Sequence, residues 1–219
     1  MHIFYLHGFT SSPRSKKGTW LKDRFAQHGI ELHLPDLNVP SFGHLRMSAM
    51  LDAVRAEIAA LPPGDVTLIG SSLGGAVAVN MADRAHKGGT AEGLRVKKLI
   101  LLAPAFDIRA NWERRIGEDG IAAWREHDSL QVYNYAQGGE TAIDYGFLED
   151  VMRYDTYGAH IDIPVLCYHG INDDTVPPTQ SERFAASRPN VDLRLLESDH
   201  ELLDQTDVIW TGTTSFLAL

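Results

Sequence analysis

Apolar residues along this chain follow two rhythms that take turns. His2-Ile3-Phe4-Tyr5-Leu6 is a short apolar run that predicts a strand. Ser12 then reads as an N-cap with Pro13 at the first helical position. Trp20, Leu21 and Phe25 face the core of that helix, which stops near Gly29. Ile30, Leu32 and Leu34 alternate with Glu31 and His33, the period of a strand with one wetter face. Met47, Leu51, Val54, Ile58 and Leu61 recur at helical spacing, predicting a helix from His44 to Leu61 that Pro62-Pro63-Gly64 ends. Val66-Thr67-Leu68-Ile69 predicts a strand and Gly75-Ala76-Val77-Ala78-Val79 a helix directly after it. Continuous apolar runs return in Lys97–Ala103 and at Val165–Tyr168, and alternation returns at Val191–Leu196. A closing helix follows His200, with Leu202, Leu203, Val208, Ile209 and Trp210.

Strands that alternate with helices imply an α/β fold with an open, doubly wound, mostly parallel sheet of about six strands. Continuous apolar strands suit the interior of such a sheet, where helices cover both faces. The alternating strands at Ile30 and Val191 suit its edges. Residues 1–219 read as a single domain, and the stretch from 105 to 160 breaks the rhythm. That stretch holds Phe106, Trp112, Trp124, Tyr133, Tyr135, Tyr145, Phe147, Tyr154 and Tyr157 and reads as an inserted helical cap. Cap aromatics either line an apolar pocket or pack the insertion onto the body, and packing is the expectation for most of them.

Composition narrows the functions. A formal charge of −9 argues against nucleic acid as a partner and gives no support for anionic membranes or a strongly anionic substrate. The one cysteine, Cys167, lies in a buried apolar run and reads as a small core residue. The sequence opens on a strand, with no basic and apolar leader, and no apolar stretch is long enough to span a bilayer. The expectation is a soluble cytoplasmic protein.

The chemistry gathers around Gly70-Ser71-Ser72-Leu73-Gly74. A serine on a sharp strand-to-helix turn projects its hydroxyl clear of the sheet, and flanking glycines let the backbones approach. A hydroxyl at neutral pH needs a base, and the base needs an orienting group. On such a turn the chain order is serine, acid, histidine. His200, after the last strand and before the last helix, is the base candidate among ten histidines. His86, His127 and His160 fall on helices or in the insertion, and His169 reads as strand-end packing or hydrogen bonding behind the site. Asp173, in His169-Gly170-Ile171-Asn172-Asp173-Asp174, is the preferred acid, with Asp174 and Asp107 as alternatives. Asp199, beside His200 in sequence, is badly directed to hold its imidazole and reads as structural. The amides of Leu73 and Phe9 are the candidate oxyanion donors.

Three ordered segments carry a resemblance: Tyr5-Leu6-His7-Gly8-Phe9-Thr10-Ser11-Ser12-Pro13, the turn around Ser72, and His169-Gly170-x-x-Asp173-x-x-Val176-Pro177 followed by His200. Together they resemble the α/β-hydrolase superfamily, and the first is similar to the small bacterial esterases of the YqiA-like group. The resemblance implies a minimal six-stranded version of the fold, with Ser72, Asp173 and His200 as triad and Phe9 and Leu73 as oxyanion hole. It also implies an enzyme without cofactor or metal that cleaves small carboxylic esters, often short-acyl. The insertion is longer and richer in aromatics than that group leads one to expect, which leaves substrate preference open. The same machinery serves hydrolysis of amide, thioester or carbon–carbon bonds, and a catalytically silent ligand-binding protein is the alternative from another class. A dehalogenase is not expected, because those enzymes place aspartate where Ser72 stands. If His200 is the base, the rate on an activated ester falls on the acid side as it takes up a proton, and a flat profile from about pH 5 to about pH 9 would speak against it.

Overall fold

A computed structural model describes residues 1–83 and 90–219. Its strands are β1 (His2–Leu6), β2 (Leu32–His33), β3 (Val66–Ser71), β4 (Val96–Leu102), β5 (Leu130–Asn134), β6 (Gly139–Ile143), β7 (Val165–Gly170) and β8 (Val191–Leu196). Six of them form one parallel sheet in the order β2-β1-β3-β4-β7-β8. Every residue of β3 and β7 is buried, whereas β8 alternates. The two strands read as edges from their alternation are the edges.

The helices are α1 (Lys16–Gln27), α2 (Met47–Ala60), α3 (Leu73–Ala82), α4 (Ala91–Arg95), α5 (Ile108–His127), α6 (Gly146–Val151), α7 (Thr179–Ala185) and α8 (Thr206–Leu217). Leu21 and Phe25 of α1 and Ile209 and Leu217 of α8 pack on Ile3, Tyr5, Ile69, Ile100, Leu166 and Tyr168. Val54 and Ile58 of α2, Val77 of α3 and Phe184 of α7 pack on Phe4, Leu6, Leu68, Leu99, Leu101 and Cys167 on the other face. Alternate residues of each central strand therefore serve opposite layers, and each fully buried large side chain stabilises by about 1.5–3 kcal/mol. Cys167 belongs to this core, and burial pushes its thiol up to about 12.

Some boundaries differ from the sequence reading, for local reasons. Helix α1 starts later, because Ser15 rather than Ser12 accepts from an amide one turn on, that of Gly18. Ser12 Oγ instead accepts from Arg14 N at 3.2 Å. Helix α2 starts at Met47, where the carboxylate of Asp150 in α6 takes the Ser48 amide at 2.8 Å. Phe42–His44 form a separate single turn of 3-10 helix. Leu202 sits in the left-handed region at φ 56°, so the closing helix begins only at Thr206. The insertion is not all helical: β5 and β6 form an antiparallel hairpin between α5 and α6. The helix reading of His86 lies outside the described residues.

The turn from β3 into α3 is built without slack. Ser72 has φ 53° and ψ −117°, a backbone state that costs about 1–3 kcal/mol and persists only where its surroundings enforce it. Its N–H donates to Leu102 O at 3.0 Å, and its carbonyl accepts from Gly75 N at 2.9 Å and Ala105 N at 3.0 Å. A Cβ on Gly74 would run into the backbone oxygen of Leu6. Gly74→Ala should therefore lower the melting temperature by roughly 5 °C or more, or abolish soluble expression. An unchanged thermal midpoint would mean that the close approach of α3 to β1 is not real.

Candidate active site

Sheet register brings the strand ends to one rim. Leu6 lies opposite Gly70, Ser71 opposite Leu102, and Gly170 opposite Leu196. The loops after β1, β3, β7 and β8 therefore leave the sheet side by side. On that rim Ser72 Oγ lies 3.1 Å from His200 Nε2, and His200 Nδ1 lies 2.7 Å from Asp173 Oδ2. Ser72 occupies the N-cap position of α3, yet its side chain makes no capping bond and its oxygen is left to the imidazole. Gly8 lets the first loop lie against the serine, since a Cβ there would stand 3.2 Å from Ser72 Cβ.

The Asp173 carboxylate has no exposed surface. One oxygen accepts from Thr175 N at 2.9 Å and Val176 N at 2.7 Å. The other faces His200 and, at 3.1 Å, His169 Nε2. His169 Nε2 also faces Val176 O at 2.9 Å, and its Nδ1 lies 2.7 Å from Ser181 Oγ. With two acceptors before it, Nε2 carries the proton, and Nδ1 accepts from the Ser181 hydroxyl. Burial opposes ionisation of Asp173. Hydrogen bonds from His169, His200 and the Val176 amide, with the charge of His200, outweigh it and hold the carboxyl well below the usual carboxylate range. The expectation that His169 bonds behind the site matches this arrangement.

The other candidates make different contacts. Asp107 caps α5 by accepting from Ala110 N at 3.0 Å. Asp174 is exposed, and its carboxylate meets Thr175 Oγ1 at 3.2 Å. Asp199 accepts from Glu201 N at 2.8 Å and Leu202 N at 3.2 Å, which shapes the turn after His200. His127 ends α5 and His160 is exposed. Lys17 carries no motif that marks it in the sequence. It is half-buried in the first turn of α1, where burial pulls its pKa down to about 8 against the raising charges of Glu201, Asp173 and Asp199.

The first loop is held by His7, whose Nε2 accepts from Leu37 N at 3.0 Å and whose Nδ1 donates to Gly8 O at 2.9 Å. Burial lowers the pKa of His7, in keeping with this neutral form. Phe9 is fixed by ring contacts with Phe42, Trp112 and Phe147 at 5.5, 5.5 and 5.9 Å.

Phe9, Ser72, Leu73 and His200 share a cavity of about 690 Å³ that the insertion roofs. Of the nine insertion aromatics, Trp112, Tyr133, Tyr135 and Phe147 line it. Others pack the insertion: Trp124 is 1% exposed, and its Nε1 donates to Ile143 O at 3.0 Å. Helix α5 is tied to the acid loop, because Arg114 donates to Asp174 O at 2.5 Å and Thr175 O at 2.8 Å. A second depression, of about 480 Å³, lies by Arg109, Arg125 and Tyr145 and holds none of these groups. Among the described residues no cluster of three or more His, Cys, Asp or Glu is placed to hold a metal ion. No described helix is long and apolar enough to cross a membrane.

Comparison with known proteins places this architecture. Alpha/beta hydrolase domain-containing protein 10 from mouse superposes with a TM-score of 0.77 at 20% identity, over 98% of this chain and 89% of that one. Est1E from Butyrivibrio proteoclasticus, with ferulic acid bound, gives 0.76 at 19% identity, over 99% and 89%. The esterase domain of a Rhodothermus marinus protein gives 0.64 at 21%, over 96% and 82%. No curated protein matches the sequence. Residues 2–214 match the model of the family described as Uncharacterised protein family (UPF0227). With that match over nearly its whole length the chain belongs to UPF0227, and its overall fold is that of these α/β-hydrolase structures.

Proposed function

We propose that this protein is a serine hydrolase that cleaves small carboxylic esters, short-acyl esters among them, through an acyl-enzyme. The observation that carries the reading is the continuous contact from Ser72 Oγ through His200 to Asp173, at 3.1 and 2.7 Å. Those are the separations at which an imidazole can take the hydroxyl proton as the oxygen attacks a carbonyl. Two of the structural neighbours support this reading: one is titled the esterase domain of a Rhodothermus marinus protein, and Est1E holds ferulic acid, a carboxylic acid, as its ligand.

In this reading Ser72 Oγ bonds to the ester carbonyl carbon while His200 Nε2 accepts its proton. The resulting imidazolium is stabilised by Asp173, which stays ionised. His200 then protonates the departing alkoxide as the bond to the alcohol breaks. Water, deprotonated by the same imidazole, attacks the acyl-enzyme and releases the acid and Ser72. Negative charge on the carbonyl oxygen falls to the amides of Leu73 and Phe9, and the Leu73 amide stands at the start of α3, where the helix dipole favours an anion. A carboxyl held below its unfolded-state value adds stability that is complete above that value, roughly pH 4, and is lost as pH falls toward the folded one. Asp173 therefore remains a carboxylate wherever His200 can act as a base.

Ser72→Ala should abolish both labelling by a fluorophosphonate probe and turnover of p-nitrophenyl acetate above the uncatalysed rate. Labelling that survives in that variant sinks the nucleophile assignment. Asp173→Asn should lower kcat by a large factor, about 10⁴ where such a change has been made in another serine hydrolase. Asp174→Asn and Asp107→Asn should leave kcat close to wild type. A large loss in either of these, with Asp173→Asn active, would move the acid to the other carboxylate.

A further inference from the structure

The cavity is larger than a short ester requires. At about 690 Å³ it falls in the range of sites for drug-sized ligands. Its wall runs past Ser72 and His200 to the hairpin, where Tyr133 and Tyr135 line the mouth. In β5 Val132 and Asn134 are buried while Tyr133 between them points the other way, and Tyr135 is the first turn residue after the strand. Tyr133 is 49% exposed and Tyr135 78%. Their rings meet each other at 5.0 Å and 72°. The backbone that carries them is fixed. Asn134 Oδ1 accepts from Ala136 N at 3.0 Å and Gln137 N at 3.3 Å, and Ala136 N also meets Thr10 O at 3.3 Å, beside the loop of Phe9.

Charge at the same cavity favours no anion. Arg114 is occupied by the Asp174 and Thr175 carbonyls, and the Arg115 guanidinium lies 5.5 Å from the Trp112 ring. Asp174, Asp199 and Glu201 also line the cavity. We infer that Tyr133 and Tyr135 form an outer subsite for an uncharged aromatic ring carried by the substrate. The inference rests on the ester-hydrolase reading for the identity of the scissile bond, and on the cavity alone for the ring. A ring entering there meets one tyrosine edge-on and the other in offset stacking, the two favourable arrangements of aromatic pairs. The ring belongs either to the alcohol or to the acyl part, and both give the same contact.

The test compares wild type, the double variant Tyr133→Ala/Tyr135→Ala, and Tyr133→Phe/Tyr135→Phe on naphthyl acetate, methyl phenylpropanoate and ethyl acetate. Relative to ethyl acetate, kcat/KM of the alanine pair should fall about ten-fold on a ring-bearing ester, through KM, and the phenylalanine pair should keep the wild-type ratio. A fall confined to naphthyl acetate puts the ring on the alcohol, and one confined to methyl phenylpropanoate puts it on the acyl group. An unchanged ratio on both ring esters overturns the subsite, as does an equal fall on all three. Quenching of intrinsic fluorescence by naphthyl acetate in the Ser72→Ala background separates this from the hydrolase reading. Binding weakened about ten-fold by the alanine pair upholds the subsite even if no ester is turned over, and binding unaffected by it counts against the subsite whatever the turnover.

Discussion

Ser72 is held in a backbone conformation that an isolated chain avoids, and most of the site follows from that constraint. The conformation survives because three neighbours share its backbone groups: Leu102 takes its N–H, while Gly75 and Ala105 donate to its carbonyl. It also turns the side chain away from the first turn of α3, so the hydroxyl that would ordinarily cap the helix faces His200 instead. Helix α3 must then start against the end of β1, which is why glycine stands at position 74. Strain at the turn, close packing beneath it and a free hydroxyl above it are thus one arrangement seen from three sides.

The second demand is electrostatic. A carboxylate without exposed surface is unfavourable unless every lone pair is used. Asp173 meets this with two loop amides on one oxygen and two imidazoles on the other. His169 has a double duty, since the same nitrogen faces Asp173 and Val176 O, which ties the acid to the loop that bends around it. Ser181 fixes the tautomer from behind, and Cys167 lies against Ser181 at 3.6 Å in the core. The proposed base is therefore oriented by a chain of contacts that begins in the sheet interior.

The insertion is joined to the body by polar clamps at its base and by apolar packing across its middle. Asp144 accepts two hydrogen bonds from Arg46, at 2.7 and 3.0 Å, and lies 2.6 Å from His44 Nδ1. Burial raises the pKa of Asp144, but the bonds to Arg46 and His44 bring it below the ordinary value. Asp150 at the same time caps α2, so one element of the insertion sets where a helix of the body begins. Trp124, buried against Trp112 and Tyr145, gives the insertion an apolar centre continuous with the main core. Fixing these elements fixes Trp112 and Phe147 over Phe9, and with them the inner wall of the cavity.

The alternation of apolar runs was enough to read the chain order of the strands in the main sheet, its two edges and the places of Ser72 and His200 just past strand ends, because sheet position and strand ends impose strict patterns on side chains. Local turn chemistry was less legible: Ser12 before Pro13 reads as the cap, and only the tertiary position of the chain puts Ser15 Oγ against the Gly18 amide instead. Lys17 gave no signal at all, since its burial comes from loops far away in sequence. Among Asp107, Asp173 and Asp174 the residues alone expressed a preference, and the folded loop separated a helix cap, an exposed carboxylate and a fully bonded one. The hairpin in the insertion and the division of its aromatics between core and cavity also waited on the fold. Sequence by itself determined which chemical groups stand at the ends of which strands, because periodicity is local. Only the tertiary structure decided which of them touch, because a contact of 3 Å between residues 72 and 200 depends on the register of strands that no local pattern records.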